Sequence, residues 1–195
     1  EQVKAFSECA SAGTSAEFIL LLLPSLPRTK LHDVPSIPEM HERRPEMHDE
    51  LRSALLHIDS GDEALSLVAT GVVGTAGIGK TTAAICLAND VRVQTCFSDG
   101  IVWLVFGQQQ DSFGNVCKLG EALGMTREAT GALREACKTL KPLLNGKRML
   151  IVLDDIWDYR KQAKTFKDLL VASKPHRIKM LLTTRIREVA TSVGV

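Results

Sequence analysis

Residues 74–82 read Gly-Thr-Ala-Gly-Ile-Gly-Lys-Thr-Thr. Gly74, Gly79, Lys80 and Thr81 fit the spacing G-x-x-x-x-G-K-[ST], which suits a phosphate chain for physical reasons. Successive backbone N–H groups through Thr75, Ala76, Gly77 and Ile78 would form a concave anion nest. The helix that follows turns the positive end of its dipole to the same place. Lys80 brings a full charge to the β- and γ-phosphates, and the Thr81 hydroxyl is placed to ligate Mg²⁺. The competing reading is a Gly-rich turn with a stray Lys. The flanks weigh against it. Before the loop, residues 65–73 form an apolar, β-branched run that reads as a buried strand. After it, residues 81–89 are Ala-rich and favour a helix.

Three more charged residues have the right types and places. Asp154 and Asp155 follow Leu-Ile-Val-Leu at the end of an apolar run. A carboxylate at a strand tip facing a phosphate loop is where Mg²⁺ takes its second protein contact. A second acid beside it can accept a proton from an attacking water, or can simply cap the next turn; both readings of Asp155 stand. Arg185 closes Leu-Leu-Thr-Thr-Arg. From a strand tip its guanidinium can offer two donors to a terminal phosphate. The alternative is a solvated Arg at a helix start, where its charge is mildly unfavourable. His41, His48 and His57 lack the spacing of a metal pair and read as surface residues. Trp103 and Trp157 read as core residues rather than base-stacking platforms. No guanine-reading Asn/Thr-Lys-x-Asp is present, which favours adenine.

These groups need a scaffold, and the chain has the material for one. Of 195 residues, 45% are apolar, enough for one domain with a core. The formal charge is +1, so nothing draws the chain non-specifically to nucleic acid or acidic membranes. The longest apolar run, residues 18–23, is too short to span a bilayer. Five scattered cysteines form no C-x-x-C pair, so neither zinc nor a disulfide framework is indicated. Scattered thiols suit a reducing compartment, and the expected location is cytoplasmic. The chain opens on Glu1 and stops soon after the Arg185 motif, so it reads as a piece of something longer.

Pro24, Pro27, Pro35, Pro38 and Pro45 forbid a long helix and mark a linker. They divide an N-terminal segment of uncertain fold, residues 1–33, from a nucleotide-binding domain, residues 34–195. Beyond them, residues 46–58 return to helical spacing. Strands are expected at 65–73, 100–106, 147–154 and 179–184. Helices are expected at 81–89, 111–124, 126–144, 159–173 and 186–193. Strands alternating with helices imply right-handed crossovers and a parallel sheet covered on both faces. Ligands bind at the carboxyl ends of such strands, where the loop, Asp154 and Arg185 would meet.

With residues 97–104, Phe-Ser-Asp-Gly-Ile-Val-Trp-Leu, lying between the first two, the three motifs come in an order that resembles the NB-ARC domain. That family belongs to the STAND class of P-loop ATPases and includes plant immune receptors and the apoptotic-protease-activating factor. The resemblance covers roughly residue 34 onward. It implies an α/β, three-layer P-loop NTPase fold, with a parallel sheet between helices and a short segment in front. Lys80, Thr81 and Thr82 would hold phosphates and Mg²⁺, Asp154 would be the Mg²⁺ acid and Asp155 the base. Arg185 would sense the γ-phosphate. Residues 34–38, Val-Pro-Ser-Ile-Pro, would lie over adenine, with Arg44 reaching the nucleotide. Thr75 stands where the family often has Met. Residues 47–49, Met-His-Asp, precede the loop and are not the family's late Met-His-Asp motif.

The implied function is an ADP/ATP-operated switch with slow Mg²⁺-dependent hydrolysis, regulating signalling in innate immunity or programmed cell death. Its implied partners are the nucleotide, other signalling domains and further copies of the protein. The alternative is a metabolic or mechanical ATPase with an outside substrate, which no motif supports.

Overall fold

The computed structural model describes residues 29–40, 44–56, 69–73, 79–109, 112–126, 131–173 and 177–193. Its centre is a parallel sheet of five strands: β1 Leu31–His32, β2 Ala69–Val73, β3 Gly100–Val105, β4 Arg148–Ile156 and β5 Arg177–Thr184. Their order across the sheet is β1-β3-β4-β5-β2. The helices are α1 Pro45–Leu56, α2 Lys80–Asn89, α3 Val91–Cys96, α4 Ser112–Ala122, α5 Leu133–Leu143, α6 Lys164–Ser173 and α7 Arg187–Val193. A π turn, Tyr159–Ala163, leads into α6. This is the α/β arrangement expected of a P-loop NTPase.

The strands are apolar on both faces because both faces are covered. Along β3, Ile101 and Trp103 enter one core while Val102 and Leu104 enter the other. The first core is closed by Leu55 of α1, Ala84, Leu87 and Ala88 of α2 and Val93 of α3. The second is closed by Val116 and Leu119 of α4, Leu140 of α5, Phe166 and Leu170 of α6 and Val189 of α7. Phe106 and Phe166 meet edge to face, with centroids 5.8 Å apart. Trp103 lies in the first core, as its sequence context suggested.

Local chemistry sets the boundaries. Pro45 opens α1, where its missing N–H costs nothing. Asp90 is extended; it ends α2 and caps α3 by accepting from Arg92 N at 2.7 Å. Arg52 of α1 reaches Asp90 at 3.2 Å, and His48 lies 3.6 Å from it, tying α1 to the α2–α3 corner. α5 starts later than the apolar pattern suggests, at Leu133, and carries Pro142 in its last turn.

Two differences from the sequence expectation matter. The proline-rich approach is not merely a linker: Leu31–His32 pairs with Ile101–Val102 of β3, and Thr29 Oγ1 donates to Gln94 O at 2.6 Å. The expected division after residue 33 therefore falls just past a strand that the sheet holds. Strand β4 also runs two residues beyond Asp154, to Ile156. The expected features at residues 1–28 and 57–68 lie outside the described residues.

Candidate functional site

The carboxyl ends of β4 and β5 and the start of α2 bring most of the expected polar residues to one edge. Gly79 precedes α2 with φ 90° and ψ 20°, a left-handed conformation that glycine adopts without a Cβ penalty. Its carbonyl accepts from Ala83 N at 2.8 Å and so starts the helix. Among the described residues, a Cβ placed there would touch nothing within 4 Å, so the argument for glycine here is its positive φ. Lys80 follows as the first helical residue and is only 8% exposed. Lysine is rarely buried to that extent without a role or a partner. Gly74, Thr75, Ala76, Gly77 and Ile78, expected from sequence to form the anion nest, lie outside the described residues.

Thr81 Oγ1 donates to Asp154 Oδ1 at 2.9 Å, joining the α2 start to the tip of β4 across 73 residues of sequence. Asp154 is 6% exposed, and Thr183 Oγ1 donates to the same carboxylate oxygen at 2.6 Å. Two threonine hydroxyls from different elements thus converge on one buried carboxylate oxygen. Thr82 is half-buried on the next position of α2.

Asp155 owes its place to a β-bulge. Leu153 pairs with Leu182 and Ile156 with Thr184, so Asp154 and Asp155 together oppose Thr183 alone. Leu153 and Ile156 both enter the second core, although strict alternation would send residue 155 there. The extra residue thus keeps a carboxylate out of the core and still returns an isoleucine to it. Asp155 takes φ 58°, a left-handed conformation that Asp tolerates better than most residues. Its N–H donates to Thr183 Oγ1 at 2.9 Å. One threonine hydroxyl therefore holds both acids, donating to Asp154 and accepting from Asp155. Thr183 was not singled out from sequence, where a Thr-Thr pair in a strand signals only β-propensity.

Arg185 follows β5 directly. Its Nε lies 3.7 Å from Asp155 Oδ1, and its guanidinium stands 5.3 Å from the centre of the Trp157 ring. Trp157 is half-buried beneath that cation, a position different from the core role expected of it. Thr184 Oγ1 donates to Ile156 O at 2.8 Å and accepts from Ile186 N at 3.0 Å, which fixes the chain on either side of Arg185. Arg44 stands before α1, exposed, with its carbonyl accepting from His48 N at 3.0 Å. Asn89 Nδ2 donates to Pro35 O at 3.0 Å, so the 34–38 segment is held against the end of α2.

Among the described residues, no group of three or more His, Cys, Asp and Glu side chains could hold a metal ion alone. His48 is spent on Asp49 and Asp90; His41 and His57 are outside the described residues. None of the four described cysteines is in a disulfide. Burial pushes the Cys137 thiol up, and nearby Cys117 pushes it further, opposite to what a reactive thiol needs. No helix among the described residues is long and apolar enough to cross a membrane.

The family model for the NB-ARC domain matches residues 45–195. The chain belongs to the NB-ARC family. NB-ARC is a nucleotide-binding domain. Two relatives illustrate the match. Disease resistance protein RGA2 of Solanum bulbocastanum is 32% identical over 160 residues, covering 80% of this chain and 16% of the relative. Apoptotic protease-activating factor 1 of Rattus norvegicus is 30% identical over 131 residues, covering 63% of this chain and 10% of the relative. This NB-ARC chain thus spans a small fraction of the length of the curated relatives it matches.

Proposed function

We propose that this chain is the core of an ADP/ATP switch that hydrolyses ATP slowly with Mg²⁺. The observation that carries the reading is the bond from Thr81 to Asp154. It brings a hydroxyl and a carboxylate together beside the buried Lys80, at the edge where a parallel sheet binds its ligand.

The donor set fits Mg²⁺. Both groups offer oxygen, which a hard cation prefers, and Mg²⁺ commonly takes only one or two carboxylates, completing its shell with water and phosphate oxygens. Thr81 and Asp154 would hold it. When bound, Mg²⁺ neutralises charge on the β- and γ-phosphates. Lys80 binds the same phosphates from the start of α2, and Gly74 to Ile78 with Gly79 supply backbone N–H groups. Thr82 supports the same end of α2, and Arg44 contacts the nucleotide from the α1 side. Asp155 is the proton acceptor for the attacking water: its side chain lies beyond the core, and the bulge sets it beside Asp154. Arg185 meets the third phosphate.

The two relatives are named for disease resistance and for activation of an apoptotic protease. On that likeness, the switch acts in defence or programmed-cell-death signalling, in the cytoplasm, within a longer protein that carries further signalling domains and self-associates.

Calorimetry with Mg·ADP tests the reading. Lys80→Ala leaves the backbone N–H groups of the loop in place and removes a charge-assisted contact, so affinity falls by about 2–3 kcal/mol. Equal affinity in wild type and variant overturns the phosphate role of Lys80. A preference for GTP overturns the choice of adenine.

A further inference from the structure

We infer that Trp157 is the positioning residue for Arg185, and that through it Trp157 sets how well the site tells a nucleoside triphosphate from a diphosphate. The inference rests on the reading of Arg185 as the group that meets the third phosphate.

Arg185 is held from two directions. Asp155 Oδ1 approaches its Nε at 3.7 Å, and the guanidinium carbon stands over the Trp157 ring, 5.3 Å from its centre. An edge contact alone leaves the guanidinium plane free to rotate about that contact. A contact with the ring alone leaves it free to slide. Together they restrict where the guanidinium can go, and because the ion pair runs through Nε, the two terminal nitrogens lie outside it. Those two nitrogens form the planar fork that binds two phosphate oxygens at once. At 46% side-chain exposure Arg185 would otherwise sample many rotamers, each of which must be given up on binding.

The tryptophan is itself anchored. Gln162, buried in the π turn, accepts from Trp157 N at 2.7 Å and from Asp158 N at 3.0 Å through one carbonyl oxygen. Its amide donates to Gly107 O at 2.7 Å on the loop after β3. Ser112 Oγ of α4 donates to the carbonyls of Lys161 and Gln162, fixing the turn that carries the glutamine. The backbone under Trp157 is thus bonded on both sides.

The choice of tryptophan has a local disadvantage that packing does not explain. Trp157 Nε1 is buried with no hydrogen-bond partner among the described residues. A buried N–H without an acceptor is unfavourable, and phenylalanine would avoid it. What phenylalanine cannot match is the face: indole attracts a cation more strongly than any other side-chain ring. The residue type therefore makes sense by what stands above the ring.

The test compares Trp157→Phe and Trp157→Leu with wild type and Arg185→Ala, in the full chain with Mg²⁺. The readout is the ratio of dissociation constants for ADP and for a non-hydrolysable ATP analogue. A variant that merely unfolds part of the population weakens both ligands by the same factor and leaves the ratio unchanged. Trp157→Leu is expected to weaken the ATP analogue about three- to tenfold with ADP held constant, and Trp157→Phe to recover only part of that. A ratio that moves in Arg185→Ala but not in Trp157→Leu overturns the role of Trp157 and leaves the sensor reading intact. A ratio unmoved in Arg185→Ala overturns the sensor reading and this inference with it. Equal losses in the Phe and Leu variants also overturn it, because a ring would then not be the property that matters.

Discussion

The two ends of strand β4 use the same residue types for opposite purposes. At the amino end, Asp99 accepts from Arg148 N at 2.9 Å and its own N–H donates to Arg148 O at 3.0 Å. Lys147 stands 3.5 Å away, with Lys147 39% and Asp99 35% exposed. This is an acid and a base used to start a strand, in water, where a salt bridge contributes little. At the carboxyl end, Asp154 is nearly buried and takes two threonine hydroxyls from two other elements. Asp155 sits in a left-handed conformation on a bulge, beside a cation on an aromatic face. Residue type alone does not separate a structural acid from one available for chemistry. Burial, convergence of distant segments and local strain do.

The largest break in this comparison is expected at Asp155. Asparagine tolerates the left-handed backbone, keeps the shape and removes the proton acceptor. Asp155→Asn should bind ADP normally and slow single-turnover hydrolysis about 10²- to 10⁴-fold. Unchanged cleavage would return Asp155 to a capping role and make the carboxyl edge, at that residue, as structural as the amino edge.

Arg185→Ala comes next. The loss should fall on ATP alone, by about 1–3 kcal/mol, because only the triphosphate gives the guanidinium a partner that ADP lacks. Titration with ADP and a non-hydrolysable ATP analogue measures it. Lysine at the same position should rescue in part, offering a point charge in place of a fork. Equal losses for both nucleotides would make Arg185 a support of the site and not a sensor.

Thr183→Val sharpens the picture of the bulge. Valine fills the same space but leaves Asp155 N–H without its acceptor and Asp154 without one donor. We expect about 1–2 kcal/mol of lost stability by denaturant titration, with Mg²⁺-dependent binding weakened as well. Full stability would show that the bulge is held by the strand pairing and not by the hydroxyl.

The sequence was most readable where spacing itself is the chemistry. Lys80 and Thr81 follow from the loop pattern, and the long strands follow from apolar runs that only a sheet covered on both faces explains. The α/β sheet was therefore legible before any coordinate. The bulge was not, because alternation along Leu153 to Ile156 cannot announce one extra residue until the core on each side is known. Thr183 was hidden because its hydroxyl acts on residues 28 and 29 positions away. Leu31–His32 was hidden among prolines, since two residues are too few to show a period, and its strand exists only by pairing with β3. Trp157 was misplaced because an aromatic beside a strand end looks the same whether it fills a core or lies under a cation. What sequence missed is what depends on contacts between distant segments.

The smallest effect should come from the amino end. Asp99→Ala removes the exposed pair with Lys147 and the acceptor for Arg148 N. Exposed pairs are typically worth about 0.2–1 kcal/mol, and both freed groups can turn to water, so little more is lost. The strand start also keeps its backbone bond, since the carbonyl of Arg148 still accepts from residue 99. The site lies at the far end of β4, beyond six parallel register positions from Gly100 to Val105, and among the described residues it shares no polar partner with Asp99. Distant sites without shared partners behave additively, so ADP affinity, the ADP-to-ATP ratio and hydrolysis should all match wild type. The unfolding midpoint should move slightly, and less so at high salt, where an exposed pair is screened. A loss above about 2 kcal/mol, or any change in nucleotide discrimination, would show that the two ends are coupled through the strand. The contrast between a solvated acid that starts β4 and a buried acid that ends it would then fail as a guide to function.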